Sequence, residues 1–310
     1  MHRTIEITVP APATGALLAE LQAIEDVVGL SVQRGASVRP PGDVVVVHTL
    51  NRAADDVLRA AARAGEGGAA VSVVTSEVAS LSDPEHQRAI DRDLDEAIWE
   101  ELEAGLRHQG RLTHNYLALM ALGGAIAAAG LLSPQPEQQL TASVAAAVVA
   151  PGFEPVARIA LGLQLRRWEV LRSGIVSTLA GYAVLVLAAA LAYLGLQAFG
   201  AAEPRNLLES AAIGDLAKPS AKDLTISLCG ALAGMVIQSS FRQSVIAGAL
   251  IAMRIIDAAA LIGLALVIGR LDLAGQGLER FGIDVAFILG AGFLVFGLKQ
   301  AVLHRRQPLH

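Results

Sequence analysis

Charge is scarce in this chain: Asp, Glu, Lys and Arg make up only 17% of its 310 residues. Soluble domains run near about a quarter charged, so an ordinary soluble protein is excluded and most of the chain must meet lipid or deep core. Cysteine is scarcer still. Cys229 stands alone, which rules out a disulfide framework or a cysteine metal site within one chain. Lying in an apolar run, it reads as a small buried hydrophobe. Aromatics are 4%, no basic patch with interleaved aromatics occurs, and the net charge is −5, so no nucleic-acid partner is expected. No phosphate-cradling glycine loop, HExxH, GxSxG or serine–lysine arrangement is found. The chain is therefore not read as an enzyme, and no metal or cofactor is expected. The opening MHRTIEITVPAPATG has no apolar signal-peptide core, so the front is expected to stay in the cytoplasm.

What is abundant is hydrophobic: 54% of the residues, with a mean hydropathy of +0.52. They are unevenly placed, with ordinary polar sequence before Asn115 and long apolar runs after it. In the front part, residues 3–9 alternate like a half-buried strand, and Leu17, Leu18, Leu21, Ile24 and Val27 mark a helix over Thr14–Val28. Strands follow near 29–33 and 44–48, separated by the turn signal Pro40-Pro41-Gly42-Asp43. Asn51 is expected to cap a helix running to about Ala64, and 69–75 supplies a fourth strand. The order β-α-β-β-α-β is the ferredoxin-like α+β pattern. His48 at a strand end fits a structural role better than a ligand role. A regulatory or assembly module, with pairing through a sheet edge, is the expectation. Ser82–Gln109 carries Ile90, Leu94, Ile98, Leu102 and Leu106 at helical spacing, an amphipathic helix flanked by Trp99. Its acids disfavour an anionic bilayer surface, so packing on protein is at least as good a reading.

The resulting division is a ferredoxin-like domain over 1–80, an amphipathic linker helix over 81–113, a transmembrane helical domain over 114–303 and a basic tail over 304–310. Six spans are expected, near Tyr116–Leu132, Ala142–Leu163, Gly174–Phe199, Leu224–Ile237, Val245–Ile268 and Ile283–Val302. A polar loop with Pro204 and Pro219 separates the third from the fourth. The inner loops would hold Arg166, Arg167, Arg172 and Arg242, and the tail Lys299, Arg305 and Arg306. The outer loops would hold Arg205, Lys218, Lys222, Arg270 and Arg280, diluted by Glu203, Glu209, Asp215 and Asp223. That bias puts both termini in the cytoplasm.

The second span organises the rest. VAAAVVAPGFEPVARIALG is apolar, yet it contains Pro151, Gly152, Pro155, Glu154 and Arg158. Prolines interrupt the helical ladder, and a break inside hydrocarbon is tolerated only against protein or a polar cavity. Buried charges there cost several kcal/mol unless compensated. A shift of about a hundred residues aligns Glu154 with Asp257, Ala160 with Gly263 and Leu161 with Leu264. Each copy places an acid and a base within one helical turn: Glu154 with Arg158, and Arg254 with Asp257. The second pair has no proline beside it. Two copies of a three-span unit would enter the membrane from opposite faces, the inverted-repeat plan of many transporters.

NYLALMALGGAIAAAGLL followed by AAVVAPGFEPVARIALGLQLRRWEVLRSGI resembles the conserved-hydrophobic bacterial family catalogued as domain of unknown function 389. The resemblance covers most of the chain and is strongest over 112–175. Its motif, APxxxP, stands here as Ala150, Pro151 and Pro155. It implies a small α+β front before a membrane part with a proline-containing second span, and no established activity. The family often has a proline pair in its second half, where this chain has Met253-Arg254-Ile255-Ile256-Asp257.

The leading expectation is a bacterial inner-membrane transporter or channel-like protein for an unknown small solute or ion. Glu154 and Asp257 would bind a cation or proton, Arg158 and Arg254 would be counter-ions or anion ligands, and the backbone around Pro151 and Pro155 would add ligands. The rival is a membrane-anchored sensor or scaffold, in which the charged pairs only tie spans together. Gln238, Ser239 and Ser240 read as a solvated turn. Tyr182 reads as a packed residue with a bonded hydroxyl, and Gly230, Gly234, Gly248, Gly290 and Gly292 as close-packing positions. Besides the lipid bilayer, a second copy of the chain is the expected partner, in a dimer.

Overall fold

A computed structural model describes residues 2–66, 68, 70–93, 96–202, 210–240 and 246–303. Leu94, the loop residues Glu203, Pro204, Arg205 and Glu209, Arg242 and the basic tail from His304 to His310 lie outside them. The chain forms two compact units, one of residues 1–99 with 299–310, the other of 100–298.

The first unit holds a four-stranded antiparallel sheet of β1 (Arg3–Val9), β2 (Val27–Val38), β3 (Pro41–Thr49) and β4 (Ser72–Glu77), in the order β2-β3-β1-β4. Period-two alternation sends Ile5, Ile7 and Val9 of β1 to the face that buries Val45 and Val47 of β3. That face packs on α1 (Ala11–Gln22) through Leu17 and Leu21, and on α2 (Ala54–Ala64) through Val57, Ala60 and Ala61. Helix α1 starts earlier than the apolar spacing implies, because Pro10 stands at the N-cap and Pro12 in the first turn, and it stops earlier because Val27 and Val28 belong to β2. Asn51 opens a short 3-10 turn and does not cap α2; Ala53 does. Its amide and side chain are committed to the Asp93 carboxylate and the Glu96 carbonyl. His48 is structural, its Nδ1 2.8 Å from Thr4 Oγ1.

The single helix expected over 82–109 is not formed. Two helices stand there, α3 (Gln87–Ile90) and α4 (Trp99–Gln109). Side chain to backbone bonds replace the helical ladder between them: the Asp93 carboxylate and Glu96 carbonyl are taken by Asn51, and Arg3 also donates to Glu96.

The second unit is helical after α4. It comprises α5 (His114–Leu131), α6 (Pro136–Val149), α7 (Phe153–Gln164), α8 (Trp168–Ala198), α9 (Ala211–Ala217), α10 (Ala221–Ser239), α11 (Ile246–Met253), α12 (Ile255–Val267) and α13 (Leu271–Leu298). Among the described residues three helices are long and apolar enough to cross a membrane: α5, α8, and α13 with its continuation to Val302. The pair α6–α7, bent by 48°, makes a fourth if it counts as one span. Leu179, Leu187 and Leu191 of α8, and Leu278, Leu294 and Leu298 of α13, point outward. So large an unpacked apolar surface is stable only against lipid or another apolar partner. Cys229 also faces outward from α10, contrary to its expected burial. The helix has its buried face along Ser227, Gly230, Ala231 and Gly234, and Cys229 falls on the other side.

The helices repeat in order: a full helix, two half-length helices flanking a break, then a long helix. Helix α7 ends and α8 begins at 164 and 168; α12 ends and α13 begins at 267 and 271, an offset of 103 (267 less 164, 271 less 168). The turns between them use a left-handed residue at the same place, Arg166 (φ 52°) and Gly269 (φ 70°). Helix α8 packs on α12, and α13 packs on α7. Gly263 of α12 sits against Val186 and Ala190 of α8, and Gly292 of α13 sits against Ala160 of α7.

Two consequences can be measured. A side chain at Gly263 would put its Cβ 2.2 Å from the Val186 carbonyl oxygen, whereas Gly290 has open space around it, against the packing role expected there. Gly263→Val should lower stability by on the order of 1–3 kcal/mol, and Gly290→Val should leave the detergent melting temperature unchanged. In the first unit, the Asp43 carboxylate accepts hydrogen bonds from the Gly35 amide (2.8 Å) and the Thr14 hydroxyl (2.7 Å). These bonds, Gly35 first, with Arg34 nearby, hold its carboxyl below the ordinary carboxylate range. Their stabilisation is therefore present above that range and disappears as pH falls through the lower folded value. Protection of the Gly35 amide from hydrogen exchange should fade over that acid window, and Asp43→Ala should lack it at neutral pH.

Candidate functional site

The first break follows from Pro151, which pushes Ala150 out of the helical region (φ −84°, ψ 119°) and ends α6. Pro155 does nothing comparable. It lies in the first turn of α7, where a missing N–H costs no bond. The Gly152 carbonyl, freed by the break, accepts from the Tyr182 hydroxyl of α8 at 3.1 Å. Tyr182 thus has the bonded hydroxyl its sequence context implied.

The second break was not foreseen, because no proline marks it. Arg254, at the position equivalent to Pro151, adopts the left-handed conformation (φ 56°, ψ 20°) between α11 and α12. A non-glycine residue there costs on the order of 1–2 kcal/mol. The Met253 carbonyl left open by this break accepts from Arg280 Nη2 of α13 at 3.1 Å, and Arg280 also donates to the Ser227 hydroxyl. Each break is thus capped by the long helix of its own copy. The two breaks meet: a Cβ on Gly152 would lie 2.7 Å from Ile256 Cδ1 and 2.5 Å from the Tyr182 hydroxyl.

Glu154 and Asp257 occupy the first turns of α7 and α12, where the positive helix end favours an acid. Both are buried. Asp257 is engaged: the Ser143 hydroxyl of α6 donates to it, and Arg254 Nε lies 3.4 Å away. Glu154 differs, since its Oε2 has no hydrogen-bond partner among the described residues. The expected pairing of Glu154 with Arg158 is not formed. The two share a helix face, but Arg158 belongs to another cavity, with Glu103, Arg107 and Arg167. Tyr116 and Tyr182 lie within electrostatic reach of Glu154.

Further residues of the site escaped the sequence reading. Arg280 was expected in an outer loop; it is buried on α13, 3.3 Å from Asp284, which is wholly buried. Their i, i+4 spacing in an apolar helix is the same signal that marks Glu154 and Arg158, but the apolar run from Ile283 leaves Arg280 outside the expected sixth span. Gln238, Ser239 and Ser240 are also buried, not a solvated turn. A cavity of about 290 Å³ reaches Arg254 and Ser143, with Gln139, Asp215 and Ile251 among its walls. Among the described residues no group of three or more His, Cys, Asp or Glu gathers to hold a metal ion.

Residues 147–289 match the family model Domain of unknown function (DUF389). The match runs from the end of α6 into α13, so it takes in both breaks with Glu154, Arg158, Arg254, Asp257, Arg280 and Asp284, but not Glu103 or Arg107. The resemblance drawn from the APxxxP motif is borne out over that stretch. No curated protein and no solved structure matches the chain. With its apolar helices, the chain is a membrane-embedded protein.

The Arg280 cap gives a direct test. Arg280→Leu would leave Asp284 and the Met253 carbonyl buried without their cation, at a cost of about 3–5 kcal/mol. Arg280→Leu combined with Asp284→Leu should recover part of that loss. Unfolding of the detergent-solubilised protein by SDS titration reads both.

Proposed function

We propose that this chain is a multi-pass transporter or channel-like protein of the bacterial inner membrane, passing a small ion or solute between two inverted three-span units. The observation that carries the reading is the meeting of the two helix breaks beside Glu154, a buried carboxyl with an unpartnered oxygen. Such a group is stable in an apolar interior when it takes up a proton or a cation. Asp257, on the equivalent turn, is the second ion site, and Arg254 its counter-ion. The backbone near Pro151 and Pro155 lies close enough to contribute ligands.

Six crossings fit this reading, with α10 and the pair α11–α12 as the fourth and fifth. At 19 residues α10 reaches about 28 Å, close to the roughly 30 Å hydrocarbon thickness. Three crossings per copy require the second copy to be inverted, with a two-fold axis in the membrane plane near its midplane. The reciprocal packing of α8 on α12 and α13 on α7 supports such an axis. The order β2-β3-β1-β4, with every neighbour antiparallel, supports a ferredoxin-like reading of the front sheet. We read that sheet as a cytoplasmic regulatory or assembly domain over 1–80, with both termini on that side. Val73 and Val74 of the outer strand β4 are exposed and would suit pairing with a second copy.

A second reading, a sensor or scaffold that carries nothing, is favoured by the capping of both breaks from within the chain. Flux separates the two. In proteoliposomes, proton flux followed with a pH-sensitive dye, and sodium and potassium uptake, should be measured for the wild type, Glu154→Gln and Asp257→Asn. The transport reading expects at least about tenfold loss in one of these fluxes for either variant, about 1.4 kcal/mol. Unchanged flux in both variants would retire the two acids, and no flux in the wild type would favour the scaffold.

A further inference from the structure

Apart from the breaks, a second polar cavity, about 630 Å³ in volume, opens between α4, α7 and the start of α8. Its charged walls are Glu103, Arg107, Arg158, Arg167 and Glu169, three cations against two anions. Glu103 is buried and accepts from both Arg107 (2.9 Å) and Arg167 (2.6 Å), so one carboxylate orients two guanidiniums. Arg158 stands outside that arrangement. It is 7% exposed, its Nη1 has no hydrogen-bond partner, and no acid among the described residues pairs with it. A guanidinium keeps its charge at any physiological pH and presents a planar fork of donors. Buried without an acceptor it costs several kcal/mol, so the cavity is electrostatically incomplete as the described residues build it.

The missing group is an anion with several acceptor oxygens. Arginine forks match the oxygens of phosphate in bidentate fashion. The volume lies in the range of small-molecule sites, roughly 300–1,000 Å³, and exceeds what one inorganic phosphate needs. Trp168, 70% exposed, stands beside the cavity, as tryptophans do at membrane–water boundaries. We infer that the cavity of Arg107, Arg158 and Arg167 binds a phosphate-bearing anion, with Arg158 as its principal ligand and Glu103 positioning the other two arginines. The phosphate comes from an anionic lipid headgroup or from a free phosphorylated solute. The inference stands whether or not the chain moves an ion past Glu154.

The test uses the full-length protein in a neutral detergent. Calorimetric titration with inorganic phosphate forms one arm. Retention of phosphatidic acid against phosphatidylcholine, followed by native mass spectrometry, forms the other. At least one arm should show saturable binding to the wild type. Binding should weaken by at least about tenfold in Arg158→Gln, as expected for one lost charge-assisted contact. It should weaken less in Arg158→Lys, which keeps the charge without the fork, and stay unchanged in Arg172→Gln, an exposed arginine outside the cavity. Phosphate binding that displaces the lipid assigns a free solute, whereas selective lipid retention that phosphate does not displace assigns a headgroup. Absence of binding in both wild-type arms overturns the proposal. So does wild-type affinity in Arg158→Gln that elutes as a single species.

Discussion

A carbonyl freed inside a lipid-facing bundle has no water to bond, and this constraint organises the helical unit. Breaking α6 from α7 releases the Gly152 carbonyl, and breaking α11 from α12 releases that of Met253. An unsatisfied backbone group in an apolar interior costs several kcal/mol, so a break without a donor would not persist. The donors come from α8 and α13: the Tyr182 hydroxyl in one case, the Arg280 guanidinium in the other. The long helices must therefore lie against the breaks, and their approach depends on small residues. Gly263 admits the α8 backbone, and Gly292 admits Ala160.

The two helix breaks are built by different chemistry. Proline fixes the first bend by removing a donor and forcing extended backbone before it. Arginine makes the second by accepting a left-handed conformation that its side-chain contact with Asp257 helps to hold. The cap follows the same division. A neutral phenol suffices for Gly152, whereas the guanidinium on Met253 brings a charge into the core, and Asp284 one turn along supplies its counter-charge. Equivalent shape thus came with unequal charge.

How far this could be read from residues follows from the same physics. Alternation in β1 and β3 and the apolar face of α2 were legible because each depends on neighbours in sequence; the turn signal at Pro40–Asp43 falls late, since Arg39 and Pro40 make the turn and Pro41 already opens β3. The break at Pro151 was legible because proline is a covalent signal. The break at Arg254 was not, since nothing local forces arginine left-handed; Asp257 and the packing of α12 on α8 hold it there. The alignment of Glu154 with Asp257 did carry the information, because it set Arg254 opposite Pro151. Arg280 was misplaced by counting charge as a sign of a loop, although a long cationic side chain can serve as a backbone cap. The pairing of Glu154 with Arg158 failed because sharing a helix face constrains where two side chains start, not where they end.

That failure bears on what the site can hold. Had Glu154 closed on Arg158, the two charges at the first break would offset each other, as those of Arg280 and Asp284 do at 3.3 Å. Instead Glu154 stays at the first break, while Arg158 lines the cavity of Glu103, Arg107 and Arg167. Among the described residues the acid's Oε2 lacks a donor, and the cation's Nη1 lacks an acceptor. Leaving both unsatisfied costs more than joining them, unless each is completed from outside the chain. On the proposed reading, that separation presents opposite charges to two different occupants, a cation or proton at the breaks and an anion at the cavity of Glu103 and Arg158, whereas a closed pair at a spacing of four residues would present neither.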